Sequence, residues 1–148
     1  MDSMPSGGLW LEEFLSAEPA DIDWLVEGMV PVDGSMEVYG KTGVRKSWLV
    51  LQLALDVVCG TPFLGHPTKA GKVVYVQAEL VASELRFRLS VMTENMSLPP
   101  QTLWLPAALY ADVDRADAWK VIETFVAAER PALAIFDPLS LMMSGSPD

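Results

Sequence analysis

The residues on which many enzyme sites are built are nearly missing: the chain has one cysteine, Cys59, and one histidine, His66. A lone cysteine cannot close an internal disulfide, and one Cys with one His cannot assemble a zinc cluster. A reduced thiol in an apolar stretch fits a cytoplasmic protein. Cations are also scarce, with 10 Lys and Arg against 20 Asp and Glu and a formal charge of −10. A broad nucleic-acid footprint needs clustered Lys and Arg, so any DNA contact is expected to be local or made by other segments. Long hydrophobic runs are lacking too. The longest, Trp48–Cys59, is broken by Gln52 and Asp56 and falls short of the roughly 20 residues that cross a bilayer. Met1–Gly8 has neither a basic residue nor an apolar stretch, so no secretory signal and no membrane partner are expected.

What is present suits one globular unit. The chain has 148 residues, of which 51% are hydrophobic and 20% charged, enough for a single core and too few for two ordinary domains. Residues 1–21 mix Pro, Gly, Ser and acidic residues around Leu9, Trp10, Phe14 and Leu15. That spacing predicts about two turns of helix in an N-terminal arm docked on the core, which is expected to span residues 22–148.

The core segment alternates between two periodicities. Trp24, Leu25, Val26 and Val30 lead through Pro31 and the turn Asp33-Gly34 into a strand candidate, Ser35–Tyr39. Lys46–Val58 is apolar almost all round, with Gly60 placed to cap it, and is expected to be a buried helix. Lys72–Gln77 has the continuous apolar character of a strand in a parallel sheet. Ala82–Met96 and Asp114–Arg130 carry apolar residues at helical spacing, and Leu103–Leu105 and Ala132–Phe136 are further strands. This order predicts an α/β domain with a mostly parallel sheet.

Between the first strand candidate and its helix lies Gly40-Lys41-Thr42-Gly43-Val44-Arg45-Lys46-Ser47. It follows the phosphate-loop pattern G-x-x-x-x-G-K-[ST] except at the second glycine, where Arg45 stands. The chemistry requires backbone N–H groups around a phosphate, a lysine on the β- and γ-phosphates, a hydroxyl on Mg²⁺ and a helix N-terminus aimed at the anion. Lys46 and Ser47 have the side chains for those roles. Arg45 can crowd the phosphate or add charge beside it. The bland alternative is a Gly-rich turn with incidental cations ahead of a core helix.

Two acids stand at strand ends. Asp137 ends Ala132–Phe136, where a carboxylate can hold Mg²⁺ through water, although Asp-Pro is also a common turn former. Glu79 follows the Lys72–Gln77 strand, where it can polarise an attacking water or be a solvated loop acid. Gln77 is a candidate lining residue. In an open α/β sheet the strand C-termini share one edge, which would bring Glu79, Asp137 and Gly40 together. Glu84 and Arg88 form an i,i+4 pair expected on a solvated helix face.

With those residues in place, the chain resembles the RecA-like P-loop ATPases related to RepA-type hexameric helicases, within the AAA family ATPases. The resemblance is carried by residues 22–31, Met36–Leu55, Val73–Leu80 with Glu84–Leu89, and Ala134–Ser140. It implies a three-layer P-loop NTPase fold, ATP and Mg²⁺ as ligands, and a phosphate-binding stretch from Gly40, Lys41, Thr42, Gly43, Val44, Arg45, Lys46 and Ser47 to Trp48. It further implies Glu79 and Lys46 as catalytic residues and Ser47 and Asp137 on the metal. The family domain runs on past the Asp137 strand, one later strand lying between the loop strand and the Asp137 strand. The chain is therefore expected to be truncated after that strand, with Leu139, Leu141, Met142 and Met143 either a core cut open or a tail. The complete form would be a homohexamer acting on DNA in replication or repair. Two alternatives stay open: a degenerate nucleotide-binding or assembly subunit that does not hydrolyse, and a small P-loop kinase, for which no acceptor lid is evident.

Overall fold

A computed structural model describes residue 8 and residues 10–17, 21–106 and 116–138. Leu9, Asp114 and the apolar tail residues Leu139, Leu141, Met142 and Met143 lie outside the described residues. The elements run α1 (Leu11–Ser16), β1 (Trp24–Val26), β2 (Val30–Pro31), α2 (Lys46–Cys59), β3 (Val73–Gln77), α3 (Ala82–Thr93), β4 (Leu103–Trp104), α4 (Ala116–Glu129) and β5 (Leu133–Asp137). β1 and β2 form an antiparallel hairpin. The main sheet has the order β4-β3-β5, and β3 is parallel to both neighbours.

The alternation of side chains along β3 divides the core in two. Val73 and Tyr75 join Leu51, Leu53, Ala54, Val57 and Val58 of α2, Leu85 of α3 and Ile135 of β5 on one face. Val74 and Val76 face the other way, onto Ile122 of α4 with Trp104, Trp119, Phe125 and Phe136 around them. Trp104 and Phe125 stack with ring centroids 3.9 Å apart. The expected helix–sheet–helix layering and parallel sheet are present, compatible with a P-loop NTPase fold. β3 is buried at all five positions, which is why its sequence lacks polar alternation.

The packing of α2 fixes its direction. Gly60, at φ 66°, ends the helix in the left-handed conformation, and N–H groups beyond the last turn bond Asp56 O and Val57 O. The next residues in the packing are those just before β3: Gly71 N–H donates to Val57 O at 3.0 Å. The C-terminus of α2 therefore lies beside the N-terminal end of β3, and the helix runs antiparallel to the strands. Its 14 residues span about 20 Å, against roughly 17 Å for the five-residue β3. The helix N-terminus consequently stands over the C-terminal edge of the sheet.

The buried Asp56 carboxylate accepts from Gln52 Nε2 at 3.0 Å and Thr61 Oγ1 at 2.7 Å, which ties the helix end to the following turn. Burial pushes the nearby Cys59 thiol up from its ordinary range, and the Asp56 charge adds to the effect. The thiol is thus protonated at neutral pH and weakly nucleophilic.

Two expectations need correction. Ser35–Tyr39 is not a strand. Its residues have strand character, but a strand exists only through a ladder of cross-strand hydrogen bonds, and no described residue pairs with it. The hairpin β1–β2, made instead by Trp24–Val26 and Val30–Pro31, uses a turn in which Gly28 has φ 69°. The α1 helix forms, but Trp10, Leu11, Phe14 and Leu15 are 63–70% exposed, so the expected docking of the arm is not seen. The remaining elements fall within a few residues of their expected ends. No helix among the described residues is long and apolar enough to cross a membrane.

Gly60 is the most exacting point of the helix packing, because a Cβ there would lie 3.0 Å from Ala70 Cβ as well as take a positive φ. Gly60→Ala is expected to lower stability by about 1–2 kcal/mol, measured as a reduced urea midpoint; an unchanged midpoint would show that the α2–β3 junction relaxes freely.

Candidate nucleotide site

The loop ahead of α2 is built by backbone conformation rather than by side-chain packing. Gly43 has φ 87°, and Arg45, the N-cap of α2, has φ 63° and ψ 31°. The position where the phosphate-loop pattern has glycine is thus left-handed here, and that explains the glycine preference. An L-residue in this conformation costs about 1–2 kcal/mol. One fully buried leucine of α2 contributes about 1.5–3 kcal/mol, so the packing of Leu51, Leu53 and Leu55 readily holds Arg45 in place. Arg45 itself is exposed. The loop keeps its turn into the helix despite the substitution.

The electrostatics favour an anion. The first turn of α2 contains no acid; Trp48 N–H and Leu49 N–H donate to Arg45 O at 3.1 and 3.2 Å, and the N–H groups ahead of them precede any carbonyl of the helix that could accept from them. Lys41, Arg45 and Lys46 bring three of the chain's ten cations to this stretch. Lys46 Nζ donates to Gly40 O at 2.8 Å and Lys41 O at 3.0 Å, so the ammonium lies back across its own loop. Ser47 and Trp48 are half-buried in the first turn, while Gly40, Lys41, Thr42, Gly43 and Val44 are exposed. The Trp48 side chain meets α3. The Arg88 guanidinium of α3 sits 5.4 Å from its ring centroid and also bonds Glu84 Oε1 at 2.6 Å. The expected Glu84–Arg88 pair therefore forms, but Arg88, with 17% side-chain exposure, braces α2 against α3 rather than lying on a solvated face.

The strand ends supply the second half of the arrangement. Asp137 is the last residue of β5 and is in register with Gln77, the last residue of β3. Both are buried. Tyr75 Oη donates to Asp137 Oδ2 at 2.6 Å, which fixes the carboxylate on the same sheet face as α2. The ladder continues one step further, where Ala78 N–H donates to Asp137 O at 3.0 Å. Glu79 follows, exposed at the edge. Since α2 runs antiparallel to β3, the Gly40–Ser47 loop, Gln77, Glu79 and Asp137 all belong to the C-terminal edge of the sheet, as an open α/β sheet requires of a ligand crevice.

Among the described residues no group of three His, Cys, Asp or Glu could hold a metal ion. The donors suit Mg²⁺ held jointly with phosphates, because that ion takes one or two protein oxygens and keeps water and phosphate in its remaining positions. Ser47 and Asp137 have that chemistry. An apolar groove of about 540 Å³ under α3, lined by Leu55, Leu85, Leu89 and Leu103 among others, contains none of these residues.

Sequence reasoning missed the role of Tyr75. The available signal was a phenol in an otherwise valine run, since a buried Tyr O–H needs a partner.

A cationic glycine-bearing loop at the start of a buried helix, at the same sheet edge as a carboxylate ending a parallel strand, fits a P-loop ATPase-type domain. The chain belongs to the AAA domain family, whose model matches residues 3–148. Comparison with curated proteins and with solved structures gave no match.

The left-handed conformation at position 45 yields a test. Arg45→Gly is expected to raise unfolding stability by about 1 kcal/mol, read as a higher denaturant midpoint; a lower midpoint would mean that the arginine side chain stabilises the loop.

Proposed function

We propose that the chain is the ATP-binding module of a RecA-like, DNA-dependent ATPase related to the replicative helicases. The observation that carries this reading is the convergence of Gly40–Ser47 with Asp137 and Glu79 at one sheet edge, set by the antiparallel packing of α2. The loop N–H groups from Gly40 to Trp48 surround the phosphates, and Lys46 exchanges its two loop carbonyls for phosphate oxygens, which pair more strongly with an ammonium. Ser47 Oγ and the Tyr75-oriented Asp137 carboxylate would hold Mg²⁺ together with the phosphates. When bound, Mg²⁺ neutralises charge on the β- and γ-phosphates. Glu79, exposed beyond β3, accepts a proton from a water whose oxygen attacks the γ-phosphorus, and ADP departs as the bond to the β–γ bridging oxygen breaks.

The resemblance of the same stretches supports a cytoplasmic protein that acts as a homohexamer on DNA in replication or repair, with an N-terminal arm over residues 1–21. The net charge of −10 supports placing DNA contacts outside this region. A second reading, favoured by Arg45 at the loop's left-handed position, is a nucleotide-binding or assembly subunit without turnover.

Lys46→Ala is expected to reduce Mg·ATP affinity by about 100-fold, as for loss of charge-assisted contacts to the phosphates, measured by titration calorimetry. Glu79→Gln should retain affinity and lose phosphate release. Turnover in the unaltered chain excludes the non-hydrolysing reading, and turnover retained in Glu79→Gln would remove Glu79 as the base.

A further inference from the structure

Gln77 is 4% exposed, yet neither its Nε2 nor its Oε1 has a hydrogen-bond partner. These are the only such buried side-chain atoms among the described residues. A buried amide left in this state is costly, because it gives up water without replacing the bonds. The rest of the strand does not supply it with partners: Val73, Val74 and Val76 are buried among apolar side chains, and the Tyr75 hydroxyl bonds Asp137. Position 77 is set apart by where it stands. It ends β3 on the α2 face, in register with Asp137 and two residues before Glu79, at the sheet edge over which the N-terminus of α2 stands.

We propose that Gln77 is a ligand-contacting residue of the nucleotide site that distinguishes the triphosphate from the diphosphate. This rests on the ATP-binding reading above. The amide carries one kind of donor and one acceptor, which matches a terminal phosphate oxygen beside a water: Nε2–H donates to the phosphate, and Oε1 accepts from the water. Asp137 on the neighbouring strand is already fixed by Tyr75, so the two strand ends present a carboxylate and an amide side by side. The carboxylate attracts the cation and the amide takes the anion. Glu79, next along the chain, then meets the attacking water on the far side of the same phosphate. A diphosphate, which lacks the terminal group, leaves the amide unpartnered.

The test replaces the amide with an apolar group of similar volume, Gln77→Met, and uses two readouts. The melting temperature of the nucleotide-free protein should rise, because two buried unpaired atoms are removed. Affinity for a non-hydrolysable Mg·ATP analogue should fall about tenfold while Mg·ADP affinity stays within about twofold, the loss expected for one hydrogen bond to a charged group. A lower melting temperature would overturn the proposal, since it would mean that the amide is held by a structural water. Equal losses for both nucleotides, or none, would overturn it as well. If the unaltered chain bound neither nucleotide, the ATP-binding reading itself would fall. That outcome is distinct from binding that Gln77→Met leaves untouched.

Discussion

Helix α2 must be covered on nearly every side, and the rest of the structure follows from that requirement. Seven of its residues, Leu51 and Leu53 through Val58, are buried. They are covered by the sheet face that carries Val73, Tyr75 and Ile135, with Leu85 of α3 alongside. Once the helix is seated there, Gly60 and Gly71 bring its C-terminus to the start of β3. Its N-terminus can then only stand over the C-terminal edge. The position of the phosphate loop is therefore a consequence of core packing, and the loop needs few contacts of its own. This accounts for its exposure and for its tolerance of an arginine where the pattern has glycine.

The same edge concentrates the polar interior of the domain. Tyr75, Gln77 and Asp137 lie on one sheet face, and of the three buried polar or charged residues among those described only Asp56 lies elsewhere, at the far end of α2. Tyr75 and Asp137 satisfy each other, whereas Gln77 carries two orphaned atoms. A nucleotide site commonly holds its groups ready at some expense to the stability of the empty protein. Across from this cluster the loop gathers Lys41, Arg45 and Lys46 within a chain of net charge −10, so that the local field opposes the overall one.

Much of this was legible because it is local. The change from two-residue to helical periodicity marked β3, α2, α3 and α4, and Gly60 marked the end of α2. The loop was legible because the spacing of Gly40, Gly43, Lys46 and Ser47 is itself the chemistry. The features that were not legible are those decided by a partner. Ser35–Tyr39 has the composition of a strand, but composition does not supply a neighbouring ladder. Leu11–Ser16 has an apolar helical stripe, but a stripe does not say where it docks. The Tyr75–Asp137 bond spans 62 residues and depends on β3 lying beside β5, which no local pattern reveals. The i,i+4 spacing of Glu84 and Arg88 points to a surface pair, whereas Trp48, forty residues earlier, decides the place of Arg88.

The central claim is that the loop and the two strand ends form one nucleotide site. Amide hydrogen exchange with and without a non-hydrolysable Mg·ATP analogue tests it most directly. Protection is predicted to increase together in the Gly40–Trp48 stretch and in the Gln77–Glu79 stretch at the end of β3, with β1 and β2 unchanged. Protection confined to the loop, or appearing at the groove under α3, would contradict the account.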